Sequence, residues 1–320
     1  MTNLTHRTIW TNGINMHIAE QGEGPLVVLL HGFPELWYAW RHQLPALAAA
    51  GYHAVAPDVR GYGRTDAPEP VESYSMVNET ADVVGLLDAL GESTAVVIGQ
   101  DWGSDIAWRC ALLHPERFSA VAAVSVPYTP RAPVPPTQQL KQIFADTFMW
   151  LLYFQEPGVA EAELEANVRR SISVMLYSAS GDAPEGAAMP TKKKGAGFLE
   201  GLPEPVLPLP WLTDADLDYF VSEFERTGFR GALSRHRNMD RDWEQLPQLA
   251  DAKVQQPALF IAGERGPLAV LRSGPFGIEP MRELVPHLQD LVILPGCGHW
   301  APQERPIEVS SRLIQFLKDL

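Results

Sequence analysis

One stretch, residues 95–104, strongly constrains what this chain can fold into. It begins with a short apolar run, passes through Gly99 and Gln100, and presents Asp101 before Trp102 and Gly103. An apolar run that stops at a glycine predicts a buried strand, and glycines at i−2 and i+2 around Asp101 predict a sharp turn into a helix. A carboxylate exposed on such a turn can attack carbon and form an ester with the protein. The structural alternative is an aspartate that only caps the following helix.

Composition indicates a globular protein without a nucleic-acid partner. The 320 residues exceed one average domain, and 46% hydrophobic with 20% charged residues allow a large core. A net charge of −14 and a pI of about 5.1 argue against nucleic acid, which binds basic surfaces. Cys110 and Cys297 have no spacing typical of a disulfide framework or a zinc site. Residues 1–20 lack an apolar signal core and no run approaches about 18 apolar residues, so we expect a cytoplasmic protein without a membrane partner.

Strand and helix patterns alternate along the first part of the chain. Residues 25–30 are continuously apolar, as expected of a strand buried on both faces of a mostly parallel sheet. Further strands are predicted at 53–58, 95–100, 118–126, 257–263 and 291–294, with a hairpin at 8–19. Helices are predicted at 40–50, 75–90, 106–114 and 307–320. The fold class is therefore α/β.

Five prolines between positions 127 and 136 interrupt this alternation. Helices are then predicted at 140–154, 159–177 and 214–226, with a long loop at 178–210 that contains three consecutive lysines, residues 192–194. We expect a core domain made of residues 1–130 and 246–320, and a helical lid, or cap domain, made of residues 131–245.

His299 is the second residue with a predicted chemical role. It follows the last predicted strand in the sequence Gly-Cys-Gly-His-Trp, so it belongs at the same carboxyl edge of the sheet as Asp101. A histidine after a strand is more often structural, but its order after the nucleophile and the His-Gly-Phe-Pro loop at residues 31–34 favour a catalytic base. Backbone N–H groups of Phe33 and Trp102 are the expected oxyanion donors.

These segments together resemble the α/β-hydrolase superfamily and are most similar to the soluble epoxide hydrolase family, over nearly the whole chain. The matching motifs lie at residues 31–34, 58–63, 99–103, 153–158, 237–239 and 298–300. The resemblance implies that Asp101 attacks an epoxide carbon and that His299 activates the water that hydrolyses the ester. It also implies an acid that orients His299, and two lid tyrosines that hydrogen-bond the epoxide oxygen. No metal, nucleotide or organic cofactor is expected.

The acid departs from the family pattern. The family's orienting acid belongs in the turn after the strand at 257–263, and Gly266 occupies that position. In some relatives the acid follows the preceding strand, where this chain has Ser125. Glu264 is the nearest substitute, and its structural alternative, a loop glutamate bonded to backbone, has equal weight. Loss of the acid's support for His299 predicts slow turnover, since a serine-protease triad loses about 10⁴ in rate without it.

The lid departs from the pattern as well. His236 stands where the family has one ring-opening tyrosine, and Trp150 stands where it has the other. Both replacements carry N–H donors, and a histidine near neutral pH can also donate as a cation. Tyr153 lies one helical turn after Trp150, with a structural role as its alternative.

The sequence therefore predicts hydrolysis of a small apolar epoxide by water, through an aspartyl ester, with slow or altered turnover. A haloalkane dehalogenase is one alternative, because such enzymes also use an aspartate followed by tryptophan and hold halide with indole N–H groups. Phe33 stands where the usual dehalogenase loop has asparagine, which disfavours that alternative. A binding protein that kept the fold and lost turnover is another. The oligomeric state is open, with a homo-oligomer included.

Overall fold

The structure is a computed structural model that describes residues 3–188, 190–267, 278 and 280–320. Its eight strands form one sheet in the order β1-β2-β4-β3-β5-β6-β7-β8. Strands β1 and β2 and strands β2 and β4 pair antiparallel, and every later pair is parallel. The strands are β1 (Thr5–Thr11), β2 (Ile14–Gln21), β3 (Leu26–Leu30), β4 (His53–Pro57), β5 (Ala95–Gln100), β6 (Phe118–Val124), β7 (Ala258–Gly263) and β8 (Leu288–Leu294).

Helices of the core lie on both faces of this sheet. They are α1 (Gln43–Ala49), α2 (Met76–Leu90), α3 (Trp102–Leu113), α11 (Met281–Leu284), α12 (Ala301–Glu304) and α13 (Pro306–Lys318). On one face, Val28 and Val97 belong to the apolar cluster of α2 and α3. On the other face, Leu29 and Ile98 belong to the cluster of α1 and α13. The sheet is therefore buried on both sides, which explains why β3 and β5 are continuously apolar.

Between β6 and β7 the chain forms seven short helices among the residues described there. They are α4 (Pro136–Ile143), α5 (Trp150–Tyr153), α6 (Val159–Glu165), α7 (Val168–Ser178), α8 (Asp214–Thr227), α9 (Arg230–His236) and α10 (Met239–Gln245). The segment at 140–154 is divided, because Thr147 bridges to Lys193 and the Phe148 N–H donates to the Lys192 carbonyl. The segment at 159–177 is divided at Asn167, whose side chain caps α7.

Buried polar contacts attach these helices to the core. Trp37 Nε1 donates to the Tyr219 hydroxyl at 2.7 Å, and the Arg41 guanidinium lies 3.0 Å from the Asp216 carboxylate. Arg235 donates to Glu79 at 3.2 Å, and both side chains are 3% exposed. The helices between β6 and β7 therefore have fixed contacts above the carboxyl ends of the strands. No helix of the described residues is long and apolar enough to cross a membrane.

Candidate active site

Asp101 lies in the turn between β5 and α3, with φ 54° and ψ −123°. A non-glycine residue in this region is strained by about 1–3 kcal/mol, so the surroundings must hold it. A Cβ on Gly99 would lie 2.0 Å from the Gly103 carbonyl oxygen, and a Cβ on Gly103 would lie 2.1 Å from the Leu30 oxygen. The glycines around Asp101 are thus required by close backbone packing. This sharp turn presents the carboxylate at the sheet edge, as the sequence predicted.

The carboxylate of Asp101 accepts hydrogen bonds on both oxygens. Phe33 N donates to Oδ1 at 2.9 Å, and His299 Nε2 lies 3.1 Å from Oδ2. Burial by itself would raise the pKa of Asp101, but the hydrogen bond and charge of His299, with the backbone N–H groups of Phe33 and Trp102, hold it below its usual value. The carboxyl group is therefore ionised at neutral pH.

His299 is positioned through its backbone. Its N–H donates to the Ala179 carbonyl at 2.7 Å, and its carbonyl accepts from Ser125 Oγ at 2.6 Å and Gln100 Nε2 at 3.2 Å. Its Nε2 faces Asp101. Its other ring nitrogen, Nδ1, is buried without a hydrogen-bond partner among the described residues. The histidine is therefore held in place on the side of Asp101 and is unsupported on the opposite side.

The structure does not bring Glu264 to His299. The Glu264 side chain is exposed and accepts from the Gly296 N–H at 3.0 Å, so it has the backbone role that was its structural alternative. Ser125 binds the carbonyl of His299 and not its ring. At Gly266 an added Cβ would lie 3.2 Å from the Gly263 oxygen and 3.6 Å from the Gly298 oxygen. That position therefore has nearly enough space for a side chain.

The expectation that His236 donates an N–H to the substrate needs correction. His236 is fully buried, and its Nε2 accepts from the indole Nε1 of Trp102 at 2.8 Å. Its Nδ1 lies 3.2 Å from the Ala232 carbonyl oxygen, so this hydrogen-bond network assigns the proton to Nδ1. Burial lowers the pKa of His236 to about 3, which keeps the ring neutral. Both nitrogens are occupied, so His236 has no donor left for an alkoxide.

The other two predicted lid residues, Tyr153 and Trp150, differ in whether their side-chain donor already has a hydrogen-bond partner. The Tyr153 hydroxyl donates to Glu163 Oε2 at 2.7 Å, and Glu163 also holds the N–H groups of Phe198 and Leu199. Tyr153 therefore has a structural partner. Trp150 packs against Phe154 and His236, with ring centroids 5.5 and 5.7 Å away, and its indole N–H has no hydrogen bond in the described part of the chain. Of the three predicted lid residues, only Trp150 retains a free donor.

Two ionisable residues of the site were missed by sequence reasoning. The Arg235 guanidinium carbon lies over the Trp102 ring, 5.1 Å from its centroid. Glu35 is fully buried, accepts from Gln303 Nε2 at 2.7 Å, and has a second oxygen without a partner in the described residues. Burial, followed by the charge of Asp101, raises the pKa of Glu35 to about 8. The sequence did contain a signal for Glu35, because this carboxylate directly follows the loop at residues 31–34. No cluster of three or more metal-binding side chains occurs in the described ranges.

Comparisons with known proteins agree with this geometry. A family model for the alpha/beta hydrolase fold matches residues 25–306. Epoxide hydrolase A of Mycobacterium tuberculosis is 45% identical over 99% of this chain and 98% of its own. Solved structures include epoxide hydrolase A from Mycobacterium thermoresistibile, 47% identical with a TM-score of 0.93 over 99% of this chain and 98% of that one.

A second solved relative has the same overall likeness. An epoxide hydrolase from an endophytic Streptomyces is 45% identical, with a TM-score of 0.93, over 98% of this chain and 95% of its own. Such identity over nearly full length, together with the matching sheet, is well beyond a likeness of fold alone. The chain belongs to the epoxide hydrolase family of the α/β-hydrolase superfamily.

Proposed function

We propose that this protein hydrolyses epoxides to vicinal diols through a covalent ester on Asp101. The observation that carries the proposal is the ionised Asp101 carboxylate in the turn between β5 and α3. Its Oδ1 accepts the Phe33 N–H, and its Oδ2 lies beside His299 Nε2. Oδ2 attacks an epoxide carbon, the ring C–O bond breaks, and the electron pair goes to the former ring oxygen. The resulting alkoxide takes a proton from water, and the free indole N–H of Trp150 is the lid donor available to hydrogen-bond it.

The second half-reaction releases the diol. His299 takes a proton from a water molecule, whose oxygen attacks Cγ of Asp101. Charge develops on Oδ1, where the backbone N–H groups of Phe33 and Trp102 support it. The Cγ–Oδ2 bond then breaks, and the diol oxygen takes the proton from His299. The new carboxylic acid of Asp101 loses its proton to the hydroxide that the first half-reaction left, and the carboxylate is restored. This half-reaction is slow in the proposal, because the imidazolium has no described partner on Nδ1.

Residues 131–245 serve, in this proposal, as a cap domain over a core of residues 1–130 and 246–320. The contacts of Arg41, Trp37 and Glu79 with the helices between β6 and β7 support this division. The cap supplies Trp150 and His236 above the nucleophile, and an apolar epoxide with water is the substrate pair.

The dehalogenase alternative is disfavoured by one hydrogen bond. Halide stabilisation would use the indole N–H groups of Trp102 and Trp150, and the Trp102 N–H donates to His236. The other alternative is a binding protein that kept the fold and lost turnover. The unpaired Nδ1 of His299 favours it, and it predicts an ester on Asp101 that persists.

The test is one turnover of an aryl epoxide in heavy-oxygen water, followed by mass analysis of protein and diol. We expect the first diol to contain ordinary oxygen from Asp101 and the protein to gain one heavy oxygen. Asp101→Asn, checked for deamidation, should be inactive, and His299→Gln should accumulate one adduct per chain. Heavy oxygen in the first diol with an unlabelled protein would contradict the ester mechanism. Halide release from a haloalkane, without diol formation from the epoxide, would favour the haloalkane dehalogenase alternative.

A further inference from the structure

One carboxylate, that of Glu304, contacts the loop that carries His299. Its Oε2 accepts from the Gly298 N–H at 2.8 Å, and its Oε1 accepts from the Trp300 N–H at 3.0 Å. Gly298 and Trp300 flank His299 directly in the sequence. Glu304, the last residue of α12, therefore holds the backbone on both sides of the histidine.

The same carboxylate binds a second segment of the chain. Oε2 of Glu304 also accepts from the Gly181 N–H at 2.8 Å, and Gly181 follows α7. This segment packs directly on the loop of His299, because a Cβ on Gly298 would lie 2.3 Å from the Gly181 nitrogen. The His299 N–H donates to the carbonyl of Ala179 in the same segment, at 2.7 Å. Glu304 therefore fixes the loop of His299 against a segment that lies between β6 and β7.

An ionised carboxylate suits these three N–H groups better than an amide of the same size. Burial raises the pKa of Glu304, and the N–H groups of Gly298, Gly181 and Trp300 oppose that shift because they stabilise the charged form. Hydrogen bonds from N–H groups to a carboxylate are also stronger than those between neutral groups. A glutamine has one acceptor oxygen and an NH₂ group, so in the same geometry at least one of the three N–H groups would face a donor.

We propose that Glu304 is a positioning residue for His299, and that its hydrogen bonds keep the imidazole where it can take a proton from water. Among the described residues the ring has one hydrogen bond of its own, from Nε2 to Oδ2 of Asp101 at 3.1 Å. That bond weakens when Oδ2 carries the alkyl group of the ester and has lost its charge. The backbone then determines where the ring lies, at the stage when His299 must act. The inference rests on the proposed function for this step, which is hydrolysis of the ester.

The kinetic test compares Glu304→Gln with the parent, using an aryl epoxide. Pre-steady-state measurement should show ester decay at least about tenfold slower, with ester formation changed by less than about twofold. The values of kcat and KM should then fall together and leave kcat/KM unchanged, because kcat/KM includes no step after ester formation. A loss of folded enzyme would instead lower kcat and kcat/KM equally and leave KM unchanged.

Amide hydrogen exchange tests the loop itself and needs no turnover. In Glu304→Gln the N–H groups of Gly298 and Trp300 should exchange at least about tenfold faster than in the parent. Glu304→Asp keeps two acceptor oxygens on a shorter side chain, so its exchange and its ester decay should be intermediate. Glu308→Gln is the matched control and should behave like the parent, because Glu308 is exposed on α13 and its described ion-pair partner is Arg305, at 3.9 Å.

Two kinetic results overturn the inference. One is ester decay that is unchanged in Glu304→Gln, and the other is an equal loss of kcat and kcat/KM with KM unchanged. If thermal unfolding shows that Glu304→Gln is not folded, Glu304→Asp decides by the same two comparisons. Failure of both variants to fold would make Glu304 a folding residue and also overturns the inference. A parent that forms no ester contradicts the proposed function, and exchange at Gly298 and Trp300 then still decides whether Glu304 holds the loop.

Discussion

At the residue scale, the unpaired Nδ1 of His299 sets the expected limit on ester hydrolysis. In related chemistry an orienting carboxylate fixes the tautomer of the histidine and stabilises the imidazolium. Here the described neighbours of His299 bind its backbone, through Ser125, Gln100 and Ala179, and leave the ring without such a partner. The backbone of His299 is therefore fixed, while Nδ1 of its ring has no carboxylate partner among the described residues.

Gly266→Asp should accelerate decay of the ester at least about tenfold while ester formation changes little. The reason is that position 266 follows β7 at the same sheet edge as His299, and a Cβ there meets only mild crowding. Pre-steady-state measurement of ester formation and decay provides the check. Glu264→Gln is the control and should be neutral, because Glu264 binds the Gly296 N–H. Slow decay that is unchanged in Gly266→Asp would show that the acid position is not limiting.

At the element scale, the strand β5 and the turn after it were predictable, whereas α3 begins at Trp102, four residues before the predicted start at 106. An apolar run, two glycines and one carboxylate suffice to predict the turn, and the carboxyl ends of parallel strands meet at one edge, which brings His299 to Asp101. The partner of His236 was not predictable, because the hydrogen bond from Trp102 joins residues 134 positions apart in different elements. The division of the segment at 140–154 was missed because a bridge between Thr147 and Lys193 outweighs local helix propensity.

Gly99→Ala should destabilise the protein by about 3 kcal/mol or more, because its Cβ would overlap backbone atoms of Gly103. Gly91→Ala is a matched control at the end of α2. Gly91 has a φ of 77° but open space around it, so only about 1 kcal/mol of backbone strain is expected. Denaturant unfolding of both variants measures the difference. Equal losses would show that the turn can relax around a side chain.

At the scale of the whole molecule, buried carboxyl groups make stability depend on pH. The pKa of Glu35 is about 8 in the folded protein, well above the ordinary value of 4.5 that the unfolded chain recovers. Between these values the folded state holds a proton that the unfolded state has lost. The free energy of unfolding should therefore fall as pH rises from about 5 to about 8, and level off above that. Glu79, whose pKa burial raises to about 7, contributes in the same direction.

Glu35→Gln should reduce the fall in the free energy of unfolding between pH 5 and pH 8 by an amount on the order of 3 kcal/mol. The reason is that a neutral amide has no proton to lose. Chemical unfolding at several pH values between 5 and 9 measures the slope. A residual slope from Glu79 should remain. Glu116→Gln, at an exposed position, is the control and should leave the slope of the parent unchanged. A slope that Glu35→Gln does not alter would place the proton uptake elsewhere.

In the proposed mechanism, the indole of Trp102 should also act as an optical reporter of the reaction. It follows Asp101 directly in sequence, lies under the Arg235 guanidinium, and donates its N–H to a histidine that stays neutral. The histidine that accepts this N–H therefore keeps a constant charge over the working pH range. In the proposed mechanism, ester formation removes the negative charge of the neighbouring Asp101 carboxylate, and hydrolysis of the ester restores it. The emission of Trp102 should thus rise or fall with the ester, so that stopped-flow fluorescence can follow a turnover without a labelled substrate.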